Sequence, residues 1–155
     1  QWSSSAASDV YKRQRYPLFL HERDAHKRFI EIISPYKEDL PKSVVHCFTG
    51  NKDALEKYIE MGFYIGITGW LCDERRGKHL IDLIPIIPLD KLMIETDCPY
   101  LLPRDMGIDN STRNEPQFLK HIAERIAEIR PESKELLFSA IYMNSLDFFD
   151  ITFQE

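Results

Sequence analysis

The stretch Val44-Val45-His46-Cys47-Phe48-Thr49-Gly50-Asn51 decides the fold. Two β-branched apolar residues run into a histidine, then a Thr-Gly turn, then an asparagine able to cap a helix. Leu55, Tyr58 and Ile59 follow at helical spacing, and Gly62 suits the C-terminal end of that helix. The unit is a short strand, a polar strand end and an amphipathic helix.

The same unit recurs on both sides. Upstream, Pro17-Leu18-Phe19-Leu20 ends at His21. A helical pattern follows, with Asp24 as N-cap and Phe29, Ile30 and Ile33 on one face, stopped by Ser34-Pro35. Downstream, residues 63–67 form a third strand ending at Thr68-Gly69. A helix through Leu80, Leu83 and Ile84 is closed by Pro85 and Pro88, and Leu92-Met93-Ile94 is a fourth strand ending at Glu95-Thr96-Asp97. Short strands alternating with helices predict parallel βαβ units. Right-handed crossovers then bring every strand's C-terminal end to one rim. Beyond it, residues 99–113 read as a long irregular loop. Asn114 then starts a helix, with Gln117 completing a capping-box arrangement and Phe118, Leu119, Ile122, Ala123 and Ile126 on its apolar face. A last helix is expected over residues 132–149, with Leu137, Ile141 and Phe148 inward.

The chain has 155 residues, 43% apolar and 29% charged, which supports a packed core and argues against global disorder. No apolar run approaches the ~20 residues of a membrane span, so no membrane partner is expected. The net charge of -5 excludes a globally basic nucleic-acid coat. It does not exclude an enzyme that neutralises phosphates with metal ions and a few local arginines. The three cysteines, Cys47, Cys72 and Cys98, are odd in number and form no Cys-x-x-Cys. They read as reduced thiols of a cytoplasmic protein. Residues 1–14 form a Ser/Ala-rich stretch without the apolar core of a signal peptide. They read as a foreign or disordered leader, with the folded domain over residues 15–155.

The predicted rim collects His21, His46, Thr68 and Asp97. Polar residues often terminate strands, but two histidines and an aspartate at three of four ends suggest a shared metal or catalytic site. Imidazole and carboxylate donors suit Zn, Mn, Fe or Mg. Such an ion can activate water and stabilise charge on a phosphoryl or carbonyl oxygen. Asp97 could ligate the metal, hold the attacking water, or both. Three ligands are too few for a two-metal centre, so the site is mononuclear or draws ligands from elsewhere. Arg23, Arg75, Arg76, Arg104 and Arg113 follow strand ends or lie on rim loops, where phosphate-contacting guanidinium groups would be wanted. Glu22 and Glu95 flank candidate ligands and could orient them. His26, His79 and His121 read as surface or interhelix residues.

Several segments in order, Leu20-His-Glu-Arg-Asp-Ala-His26, Val45-His-Cys-Phe-Thr-Gly50, Ile65-Gly-Ile-Thr-Gly-Trp70 with Cys72-Asp-Glu-Arg-Arg-Gly77, Glu95-Thr-Asp-Cys-Pro-Tyr-Leu101 and Arg113-Asn-Glu-Pro116, resemble the TatD family of metal-dependent deoxyribonucleases. Asp24-Ala-His26 and the segment 72–77 are nearer the family's namesake than its paralogues. The resemblance covers about residues 16–150. It implies a TIM-barrel hydrolase related to the amidohydrolases. His21, His46 and Asp97 match the family's metal-site His, His and Asp, and Glu115 matches an acidic position near a helix start. The implied cofactor is one or two divalent ions, with Mg the first expectation and Mn or Zn as others. The implied activity is phosphodiester hydrolysis, as a 3′-to-5′ exonuclease on single-stranded DNA or RNA, in DNA repair and DNA fragmentation. A complete barrel needs eight strands and ~250 residues. The four strands here resemble the family's last four, and the chain has no His-x-His. The expected fold is therefore the C-terminal half of a TIM barrel, four parallel strands plus C-terminal helices. Its open edges would favour self-association and leave this portion alone inactive. Two other readings stay open: an amidohydrolase-like enzyme acting on an amide, lactone or nucleobase, and a non-catalytic self-associating fragment.

Overall fold

A computed structural model describes residues 15–109 and 111–152. The leader expected over residues 1–14 lies outside the described residues. The elements run β1 (Leu18–His21), α1 (His26–Ile33), β2 (Ser43–His46), α2 (Lys52–Glu60), β3 (Tyr64–Ile67), α3 (Leu80–Leu83), β4 (Leu92–Ile94), α4 (Leu119–Ile129) and α5 (Lys134–Phe148). The strands form one sheet in the order β1-β2-β3-β4, and every pairing is parallel. The predicted strand-helix alternation is therefore the observed architecture.

Side-chain alternation gives the sheet two different faces. Val45, Ile65, Ile67 and Leu92 join the main core against the helices, with Leu55, Tyr58, Ile84, Ile122, Ile126 and Leu137. Val44, Tyr64 and Met93 point the other way and pack with Phe148 of α5. By the same two-residue period, His21, His46, Gly66 and Glu95 belong to this second face, one step nearer the rim. The strands of the middle of the sheet are buried on both faces, which is why adjacent residues are apolar at Val44-Val45 of β2 and at Tyr64-Ile65 of β3.

Helix α2 starts as expected: the Asn51 side chain accepts from Ala54 N–H at 3.0 Å, and Gly62 takes φ 76° just past the helix. Three other ends differ from the sequence reading. Asp24 does not cap α1. It adopts φ 54°, the N-cap position is Ala25, and Glu22 accepts the Ala25 N–H instead. Ser34-Pro35 ends the α-helix but not the turning of the chain, which continues as a 3-10 helix over Ser34–Asp39 because proline fits a first turn. Asn114 starts no capping box. Its amide donates to the Thr96 and Tyr100 carbonyls at 2.7 and 2.6 Å, and a 3-10 turn over Pro116–Phe118 leads into α4. Gln117 contacts Glu115 rather than the cap. Helix α5 begins at Ser133, whose hydroxyl accepts from Leu136 N–H.

Two buried polar side chains tie the C-terminal helices to the sheet. Asn144 donates to the Leu89 and Leu92 carbonyls, both at 2.8 Å. Arg130 donates to the Ile84 and Ile87 carbonyls and forks onto Glu132. No helix among the described residues is long and apolar enough to cross a membrane.

Candidate metal centre and cleft

His21 and His46 are register partners at the ends of β1 and β2, and their ring centroids stand 5.8 Å apart. Just past the strand ends the backbone turns sharply through non-glycine residues with positive φ: Asp24 at 54°, Cys47 at 52° and Asp97 at 56°. Such conformations cost about 1 kcal/mol or more each and cluster at functional sites.

His46 is the best-held of the expected ligands. Its Nδ1 contacts Glu95 Oε2, and its Nε2 lies 3.7 Å from Asp97 Oδ1. Glu95 reaches this position because Gly66 lies beneath it. A Cβ on Gly66 would stand 1.7 Å from Glu95 Oε1 and 2.7 Å from its Cδ. The Glu95 hydrogen bond holds the His46 imidazolium above its usual range, against the opposing effect of burial, and the charges of Glu95 and Asp97 add to it. Glu95 Oε1 is buried without a hydrogen-bond partner.

The donor set at this corner fits a divalent cation. With Glu95 on Nδ1, the neutral imidazole turns its Nε2 lone pair toward the Asp97 carboxylate. Two acceptors facing each other across 3.7 Å leave room for an ion bonded at ~2.0–2.2 Å to each. The carboxylate behind the histidine is the usual outer support of a metal-bound imidazole. His21 stands beside His46, but its donor atoms are not drawn into one tight cluster with His46 and Asp97.

A cleft of about 310 Å³ opens beside the corner, lined by His21, Arg23, Asp24, Cys47, Trp70 and Arg76 among others. Arg76 lies over the Trp70 ring at 5.2 Å. The remaining candidate arginines lie elsewhere. Arg75 forks onto Asp73 at 3.0 and 2.7 Å, and holds that carboxyl down at about 2. Arg104 lies 3.9 Å from Asp73 and 3.8 Å from Glu74. Arg113 is exposed and does not line the cleft. Glu22 lines the cleft beside His21 and is held by local bonds: it accepts from Ala25 N–H at 2.5 Å and Tyr58 Oη at 3.1 Å, and His26 Nδ1 meets the same Tyr58 hydroxyl at 2.9 Å. Glu115 is exposed and engages Gln117. Burial raises the Cys47 thiol above its usual range.

One cluster escaped the sequence reading. Cys72, Asp105 and His121 come from three separate segments, and their donor atoms lie within 4.8 Å of one another. No local spacing announces it. Burial, with Asp105 nearby, pushes the Cys72 thiol up to about 12.

Comparison with known proteins places this geometry in a family. The chain is 51% identical over 137 residues to the 3′-5′ ssDNA/RNA exonuclease TatD of Citrobacter rodentium, covering 88% of this chain and 52% of that protein. It is 55% identical over 122 residues to the protein of the same name from Enterobacter lignolyticus, covering 78% and 47%. The chain thus spans about half the length of the curated relatives it matches. Among solved structures, the TatD homologue YJJV of Escherichia coli K12 superposes with a TM-score of 0.85 at 27% identity, over 98% of this chain and 57% of that one. A TatD family hydrolase from Entamoeba histolytica gives 0.78 at 26%, over 96% and 56%. The family model described as TatD related DNase matches residues 6–150, and the chain belongs to that family.

Proposed function

We propose that this chain supplies the C-terminal strands of a metal-dependent hydrolase of phosphodiester bonds, acting as a 3′-5′ exonuclease on single-stranded DNA or RNA. The observation that carries it is His46, held by Glu95 on one nitrogen and facing Asp97 with the other, beside His21 and an arginine-bearing cleft. The names of the bacterial relatives support the substrate and polarity.

His21, His46 and Asp97 would hold the ion, with Mg the first choice and Mn or Zn as others. When bound, it would polarise the scissile phosphoryl group and lower the pKa of water. The chain's own residues do the rest. Glu95 fixes the tautomer of His46 and keeps its ring in place. Asp97 accepts the proton of the attacking water. Arg23 and Arg76 contact phosphates along the cleft, which favours a polyanionic substrate over a neutral amide or lactone. The free thiols suit a reducing, cytoplasmic setting. In isolation, copies of the chain would pair through the outer edges of β1 or β4, beside the exposed Phe19.

The test is a chimera in which this chain replaces the C-terminal half of the Citrobacter rodentium relative. It should release nucleotides from the 3′ end of a 5′-labelled single strand, stop with chelator, and lose activity on His46→Ala or Asp97→Ala. A folded chimera that leaves the oligonucleotide intact, or prefers small amides, refutes the assignment.

A further inference from the structure

Cys72 ends the 3-10 turn Gly69–Cys72 after β3, Asp105 lies in the 3-10 turn Arg104–Met106 after β4, and His121 is on α4. These segments are packed tightly: a Cβ on Gly69 would stand 2.0 Å from the Leu101 carbonyl oxygen. The three side chains offer one soft and two harder donors. His121 Nε2 faces Asp105 Oδ1 at 2.6 Å, while Asp105 Oδ2 faces Arg125 Nε at 3.7 Å. That Arg125 nitrogen is buried without a hydrogen-bond partner. The Cys72 sulfur is buried at the same point.

An ion pair accounts for the histidine and the aspartate. The Cys72 thiol adds only a weak hydrogen bond to Asp105. It is, however, a strong ligand once deprotonated. A thiolate, a carboxylate and a neutral imidazole together carry two negative charges, which match one divalent cation. Arg125 lies 3.7 Å from the outer carboxylate oxygen, an ion pair beside the donors rather than a hydrogen bond.

We propose that Cys72, Asp105 and His121 form a metal site for a single zinc-class divalent cation, separate from the His21, His46 and Asp97 corner. Sulfur, nitrogen and oxygen donors in one set favour zinc over magnesium, and leave a fourth tetrahedral position toward solvent, where His121 and Asp105 are partly exposed. The ion would staple the loops after β3 and β4 to α4, and its binding would release the Cys72 proton. The proposal stands without the nuclease reading, since it uses none of the same residues.

Cobalt(II) is the probe, because a cysteine ligand gives it a near-ultraviolet thiolate charge-transfer band that histidine and carboxylate ligands cannot. The purified chain, stripped with chelator, should develop this band and bring it to a plateau as cobalt is added, with any cobalt at the His21, His46 and Asp97 corner adding no thiolate band. Zinc should displace the cobalt and raise the melting temperature. Cys47→Ser and Cys98→Ser should keep the band. Cys72→Ser should abolish it, with circular dichroism confirming the fold. His121→Ala, at a partly exposed helix position, should weaken cobalt binding by about tenfold or more. The proposal is overturned if the parent chain gives no band, if Cys47→Ser or Cys98→Ser removes it, or if the band and affinity survive in His121→Ala.

Discussion

Gly66→Ala is the sharpest probe of how the rim is built. The added methyl carbon would stand 1.7 Å from Glu95 Oε1, so Glu95 must leave. On leaving, it breaks its contact with His46. A hydrogen bond to a charged group contributes about 1.5–3 kcal/mol. Replacing glycine by alanine offsets about 0.4–1 kcal/mol through the unfolded chain. The next backbone neighbour, Val45 O, is 3.4 Å from the new carbon and asks for little movement. The expected net cost is therefore about 1–2 kcal/mol, read as a fall in melting temperature of roughly 2–8 °C for a chain of this size. The decisive assay is a double-mutant cycle in chelator with Glu95→Ala, followed by urea unfolding. Once the carboxylate is truncated the methyl has room, so Gly66→Ala should turn neutral or stabilising in that background. An equal cost in both backgrounds, within about 0.5 kcal/mol, would refute the claim that the glycine exists to seat Glu95.

Other expectations follow from the buried polar groups. Asp73 is buried, and its carboxyl sits at about 2 against an ordinary 3.8 because of Arg75. A lowered folded value means stability that is present above pH ~4 and lost as pH falls toward 2. Arg75 is largely exposed, so screening limits the contribution to about 1 kcal/mol, and Asp73→Asn should remove that acid-range slope. Asn144→Ala strips the donors from two backbone carbonyls and should cost about 2–3 kcal/mol, seen as a lower urea midpoint with unchanged slope. A loss under 0.5 kcal/mol would contradict that role. Arg130→Lys should cost nearly as much as Arg130→Met in the same assay, because an ammonium cannot reproduce a fork that meets Ile84, Ile87 and Glu132 together. Full rescue by lysine would show that charge alone matters.

The layout of the sheet was legible because strand ends and helix starts sit next to each other in the chain. His46 ends an apolar run and Asn51 caps the next helix, so local chemistry coincides with tertiary structure. Asp24 and Asn114 misled for the opposite reason. Both carry cap-type side chains, but the first sits in a left-handed corner and the second is drawn to the Thr96 and Tyr100 carbonyls by the loop after β4. Glu95 was legible as a partner of a candidate ligand, and it contacts His46. The glycine that makes room for it was not, since its role depends on a neighbouring strand. Glu22 lines the cleft beside His21, but its partners, Ala25 N–H and the Tyr58 hydroxyl, were not legible, since Tyr58 comes from a distant helix. The Cys72, Asp105 and His121 cluster is assembled by three segments distant in sequence, so no window of residues contains it.

The left-handed corners after the strands also constrain how such a rim can drift. Asp24, Cys47 and Asp97 each hold a left-handed conformation past a strand end. A β-branched residue at such a corner is a steric outlier, whereas glycine and asparagine enter readily. The loop beyond Asp97 carries the same restriction at Leu101, with φ 57°, and a close approach to Gly69. Substitutions on this rim are therefore filtered first by backbone geometry, at corners that follow the strands ending in His21, His46 and Ile94, and only then by what the side chains do.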